Sequence, residues 1–123
     1  MDKVVVIGGT GFLGSHVADE LTRKGYHVTI FDCVPSPWIT DTQEMAVGSM
    51  LDSSRLAEAC EGARYLYHFG GIADIGAAKD KPFETIEANI MGAAKALEVA
   101  RIMGIERFLY ASTMYVYGAA GSF

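Results

Sequence analysis

The chain alternates two hydrophobic patterns. Residues 3–8, KVVVIG, form a continuous apolar, β-branched run that predicts a strand buried on both faces. Over residues 12–24 the pattern changes to a helical one, with Leu13, Val17 and Leu21 four apart and Gly25 as the stop. HVTIFD (27–32) predicts a second strand and EMAVG (44–48) a weaker third. Between them, Pro35 and Pro37 predict a loop over 33–44. Residues 52–60 predict a helix capped by Asp52, and ARYLYHFG (63–70) a fourth strand. Residues 71–81 read as a loop. Pro82 then opens a long helix over about 83–103, with Ile86, Ile90, Ala93, Leu97 and Ala100 on one face and Gly104 as its end. ERFLYAS (106–112) predicts a fifth strand.

Strand and helix in alternation predict an α/β fold, a Rossmann-type doubly wound parallel sheet. Right-handed crossovers favour the strand order 3-2-1-4-5. Ligands of such sheets lie beyond the carboxyl ends of the strands, here residues 8–14, 32–33, 48–51, 69–73 and 111–115.

The first of these ends is a glycine corner in which Gly8, Gly11 and Gly14 spell G-x-x-G-x-x-G between a buried-type strand and an amphipathic helix. Gly8 permits a tight exit from the strand, and Gly14 lets the helix lie close to it. A Cβ at Gly11 would keep a pyrophosphate from the backbone, where amide groups and the helix dipole would hold it. The second end is Asp32, 18 residues after Gly14. A carboxylate there accepts hydrogen bonds from both adenosine ribose hydroxyls and repels a 2′-phosphate. No Arg or Lys follows in CVPSPW to hold such a phosphate, so NAD is favoured over NADP.

With 123 residues, half of them apolar, the chain suits one domain with a core of its own. The net charge of −5 and the lack of a Lys/Arg cluster argue against nucleic acid. No apolar run approaches the ~18 residues a bilayer requires, and the start does not read as a signal peptide. Cys33 and Cys60 lack CxxC or metal spacing, so they read as reduced packing thiols of a cytoplasmic chain. His16 is expected to be a partly exposed helix residue, His27 a surface one, and His68 buried and hydrogen-bonded. Trp38 is placed to cover an adenine or to anchor its loop.

The segments VIGGTGFLGSH, YHFGGIAD, EANIMGAAKALEVARIMGIERFLYAST and VYG together resemble the extended short-chain dehydrogenase/reductase family, in particular its NAD-dependent sugar-nucleotide epimerases and dehydratases. The resemblance runs from residue 3 to about 118. It implies that Gly8, Gly11, Phe12 and Leu13, with Gly14 behind them, meet the pyrophosphate of NAD, and that Asp32 with Cys33 meets the adenosine ribose. Ser49 and Met50 fall where members carry an adenine-binding Asp, a departure that puts adenine contacts in question. Phe69, Gly70, Gly71 and Ala73 match the cofactor-lining segment, Asn89 a supporting polar residue, and Ala111 and Ser112 the end of strand five. Thr113 matches the catalytic Ser/Thr. Met114 and Tyr115 stand where dehydratases place carboxylic acids, which favours epimerisation by transient oxidation of a nucleotide-sugar hydroxyl.

The family's base, the Tyr of Tyr-x-x-x-Lys, has no counterpart, since none of the six tyrosines has Lys four residues later. The resemblance therefore predicts the NAD-binding N-terminal part, residues 1–123, of a longer fold without its substrate domain, inactive alone. A natural short NAD-binding module, or a chain completed by another, fits the same residues. An NADP-dependent reductase of the same superfamily would need to bind NADP despite Asp32. With strand five at an edge, self-association into a homo-oligomer is expected.

Overall fold

The computed structural model describes residues 1–118. Five parallel strands form one sheet in the order β3-β2-β1-β4-β5, the predicted order. They are β1 (Lys3–Ile7), β2 (His27–Asp32), β3 (Glu44–Val47), β4 (Ala63–His68) and β5 (Arg107–Tyr110). β3, β4 and β5 each stop a residue or two before the apolar pattern does, because the chain turns into ligand-side loops there.

Alternation along β1 sends its side chains to both faces. Val4 and Val6 pack with Val28, Ile30, Ala18 and Leu21, under helix α1 (Phe12–Arg23). Val5 and Ile7 pack with Phe31, Leu66, Leu56 and Cys60 on the other face, under α2 (Ser53–Ala59). Asp52 caps α2 as expected, its Oδ1 accepting from the Arg55 amide at 3.1 Å. Cys60 is buried in this second layer.

Four expectations change. The predicted loop 71–81 contains a short helix, α3 (Ile75–Asp80), started by Asp74, whose Oδ1 accepts from the Gly76 amide at 2.9 Å. The long helix is three segments: α4 (Pro82–Ile86), a π-helical turn (Glu87–Met91) and α5 (Gly92–Ile102). Its core face is also different. Gly92, Ala96, Val99 and Ala100 are buried, whereas Ile86, Ile90 and Leu97 are 54%, 64% and 55% exposed. Small residues win because the helix lies close to its neighbours: a Cβ on Gly92 would stand 3.2 Å from the Met50 thioether. On α1, Leu13 likewise departs from the expected apolar face and is exposed, while Gly14, Ala18 and Leu21 are buried.

Among the described residues, no helix is long and apolar enough to cross a membrane. The chain's last five positions, 119–123 of the predicted domain, lie outside the described residues.

Candidate nucleotide-binding site

The ladder of the sheet continues into the loops at its carboxyl end. The Gly8 amide donates to Phe31 O, the Phe69 amide to Ile7 O and the Gly48 amide to Asp32 O, each at 2.9 Å. These bonds bring the ends of β1, β2, β3 and β4 around one cavity of about 270 Å³. Gly8, Asp32, Cys33, Ser49, Met50, Gly70 and Gly71 line it, all predicted; Leu51 and Ile72, from the predicted strand-end segments 48–51 and 69–73, join them, as does Ala88, of which the pattern along the chain gave no sign. The volume is near the lower end of ligand clefts, which run from ~300 Å³ upward. A larger, open depression of about 560 Å³ beside α2 contains none of the predicted residues; its rim mixes Arg55 with Glu58 and Glu61.

The glycines of the corner differ in what makes them glycine. Gly8 has φ +77°, and a Cβ there would meet the Phe69 carbonyl carbon at 2.7 Å. A Cβ on Gly14 would stand 2.2 Å from Gly8 O, and one on Gly9 2.6 Å from the Ile30 side chain. Those three are required by the fold. Gly11 is not: its φ of −74° and ψ of 176° suit any residue, and its Cβ would meet nothing nearer than Gly8 O at 3.4 Å. The free space over Gly11 faces the start of α1, whose first amide groups have no intrahelical acceptor. Phe12 and Leu13 stand exposed beside it, Phe12 edge-on to the exposed His16 ring.

Asp32 ends β2 half-buried. Its Oδ2 accepts from the Thr10 amide at 3.1 Å and from the Thr10 hydroxyl at 2.5 Å, and its Oδ1 accepts from the Cys33 amide at 2.7 Å. Thr10 was not among the residues singled out from the sequence, although its place inside the glycine corner is the signal that could have found it. Cys33, expected as a packing residue, is instead exposed at the cavity mouth, because β2 has ended and the chain is turning outward. Partial burial, then the neighbouring Asp32, push its thiol above the usual range.

On the far wall, the Ser49 hydroxyl accepts from the Leu51 amide at 3.1 Å, and the Met50 sulfur would stand 2.7 Å from a Cβ on Gly70. Asn89, in the π-helical turn, grips the loop rather than lining the cavity. Its Oδ1 accepts from the Ile72 amide at 2.7 Å and its Nδ2 donates to Ile72 O at 2.9 Å. Phe69 is half-buried against the α1 layer, and Ala73 is exposed.

Ala111, Ser112 and Thr113 follow β5 as an exposed extended segment outside the cavity lining. The Thr113 hydroxyl oxygen accepts from the Tyr115 amide at 3.2 Å, which leaves its proton to donate. His68 is buried at the end of β4, stacked on Phe108 and Tyr110, but its Nδ1 has no hydrogen-bond partner, contrary to expectation. A strand interior walled by aromatic rings offers that nitrogen no donor or acceptor, and burial lowers the imidazole pKa. His27 is half-exposed and faces Glu44 at 3.2 Å. Trp38 is 63% exposed, its amide donating to the Ser36 hydroxyl at 3.2 Å.

A model of the NAD dependent epimerase/dehydratase family matches residues 4–123. A UDP-glucose 4-epimerase of Klebsiella pneumoniae is 29% identical over 94% of the chain and 92% of its own length. A UDP-glucose 4-epimerase from Brucella ovis, solved in complex with NAD, superposes with a TM-score of 0.92 at 26% identity, over the whole chain and 39% of its own. MoeE5, solved with UDP-glucose and NAD, superposes with a TM-score of 0.87 at 28% identity, over 96% of the chain and 38% of its own. The chain thus spans about two fifths of these solved relatives.

Proposed function

This chain belongs to the NAD dependent epimerase/dehydratase family, and on that premise we propose that it is the NAD-holding part of a nucleotide-sugar epimerase-type oxidoreductase. The observation that carries the reading is Gly11. The fold itself does not need a glycine there, and the space left open lies over the start of α1. A pyrophosphate is the group that needs both the missing Cβ and the helix amides.

The residues present fit the rest of NAD. The Asp32 carboxylate suits the adenosine ribose diol, with Cys33, Ser49 and Met50 on the adenine side of the cavity. Gly70 and Gly71, where a Cβ would meet Met50 and Asn89, bring no side chains of their own to the cavity. When bound, NAD supplies the acceptor, and then the donor, of a hydride in the transient oxidation of a sugar hydroxyl. The protein's own part is to hold geometry. The Thr113 hydroxyl, its oxygen already occupied by the Tyr115 amide, donates to the reacting sugar oxygen. Met114 and Tyr115 bring no carboxylic acid beside it, which favours epimerisation over dehydration. The proton-accepting Tyr of Tyr-x-x-x-Lys does not occur among these 123 residues, so NAD binding, and not turnover, is what these residues are expected to show alone.

Calorimetric titration with NAD and with NADP tests this directly. NAD is expected to bind, and more tightly than NADP. No heat with NAD at millimolar concentration, or tighter binding of NADP, refutes the reading. Added UDP-hexose is expected to remain unepimerised.

A further inference from the structure

Asp32 carries a charge that no cation balances: among the described residues, no Lys, Arg or His is ion-paired with it. It is held by neutral donors alone. The Thr10 amide and hydroxyl converge on one oxygen, and the Cys33 amide meets the other. Charge-assisted bonds of this kind are short and directional, so the hydroxyl bond selects one orientation of the carboxylate plane.

The glycine corner does not need that hydroxyl for its own sake. The corner is already tied to β2 by the Gly8 amide on Phe31 O, and closed on itself by the Gly11 amide on Gly8 O at 3.2 Å. What the Thr10 hydroxyl adds is control of Asp32. The aspartate is the last residue of its strand and only half-buried, so without that bond Oδ2 keeps only the longer Thr10 amide bond and the carboxylate is held less tightly.

We infer that Thr10 is a positioning residue: it fixes the Asp32 carboxylate at the ribose and thereby sets the preference for a dinucleotide without a 2′-phosphate. The inference rests on the NAD-binding reading above. A fixed, uncompensated carboxylate accepts from a ribose diol and repels a 2′-phosphate from the same position. A carboxylate held only by the two backbone amides does both less well. Loss of the hydroxyl therefore weakens NAD and relieves NADP, two changes of opposite sign, whereas general damage to the site weakens both.

The experiment is calorimetric titration of wild type, Thr10→Val, Thr10→Ala and Thr10→Ser with NAD and NADP, with thermal melting of each. Thr10→Val and Thr10→Ala are expected to bind NAD about ten-fold more weakly, with NADP unchanged or tighter; Thr10→Ser is expected within about two-fold of wild type on both. A parallel loss of both dinucleotides, an unchanged NAD-to-NADP ratio, or tighter NAD binding by Thr10→Val overturns the inference while leaving the NAD reading intact. If Thr10→Val does not fold, Thr10→Ala against Thr10→Ser decides the matter. A wild-type chain that binds no NAD overturns both.

Discussion

Replacing Gly11 and Gly14 by alanine separates what the fold needs from what a ligand needs. In Gly14→Ala the new Cβ would stand 2.2 Å from Gly8 O, 2.8 Å from Gly8 C and 2.9 Å from Gly9 Cα. All three are backbone atoms of a turn pinned between β1 and β2, so no side chain can move aside. Overpacking of this severity costs about 3 kcal/mol or more, offset by about 1 kcal/mol because alanine is the better helix former. A net loss of at least about 2 kcal/mol lowers Tm by about 8 °C or more for a domain of this size.

Gly11→Ala meets a single neighbour at 3.4 Å, an ordinary contact, in a backbone conformation alanine accepts. Its stability effects are small and opposed: a poorer N-cap against a less flexible unfolded chain, each within about 1 kcal/mol. Tm is therefore expected within about 4 °C of wild type. The methyl group would instead fill the space over the start of α1 that the proposed function gives to the pyrophosphate. Forcing the ligand to shift costs about 1–3 kcal/mol, which is about five- to 150-fold in Kd. Differential scanning fluorimetry with and without NAD, followed by titration calorimetry, reads both quantities. The reasoning is refuted if Gly11→Ala binds NAD like wild type, or if it melts as low as Gly14→Ala.

Asn89→Ala removes both bonds to Ile72 and is expected to lower stability by about 1–2 kcal/mol and weaken NAD several-fold, measured by urea unfolding and calorimetry; unchanged affinity would make the clamp irrelevant to the site. Because burial lowers the His68 pKa, the unfolded chain takes up the proton first; stability is thus lost as pH falls below ~6.5 toward the lowered folded value, by at most about 1.4 kcal/mol per pH unit. Urea unfolding at pH 7.5, 6.5 and 5.5 is expected to show a shallower acid-side loss in His68→Phe, and equal slopes would contradict this. Cys60, buried with its pKa pushed up to about 11, is expected to resist iodoacetamide, while Cys33 at the cavity mouth reacts slowly and is protected by NAD; mass mapping that finds no protection counts against Cys33 lining the nucleotide. β5 leaves one edge unpaired among the described residues, with Tyr110 59% exposed, so sedimentation at rising concentration is expected to show self-association, and a clean monomer excludes it.

The sheet was legible because each strand is a short apolar run with a glycine, proline or charged residue at its boundary, and crossover handedness leaves few ways to order five of them. The glycine corner and Asp32 were legible for a related reason: each ends a predicted strand, at the carboxyl edge of the sheet where ligands of such folds lie. What was not legible depended on contacts between distant segments. Along residues 82–102 hydropathy selects the face Ile86, Ile90, Ala93, Leu97 and Ala100. Ala100 is buried as that face predicts, but its buried companions are Gly92, Ala96 and Val99, while Ile86, Ile90 and Leu97 stay exposed, Met50 pressing close over Gly92. The same proximity explains Asn89. Its two bonds to Ile72 require the helix to approach the loop closely, and the π-helical turn that carries it lies where the small-residue stripe begins. Thr10 escaped notice for the complementary reason. A threonine between glycines reads as a turn residue, and its function becomes visible only when the carboxylate 22 positions away is found on its hydroxyl. In this fold most of the residues that line the cavity can be read from the chain. The residues that hold them in place emerge only from the packing.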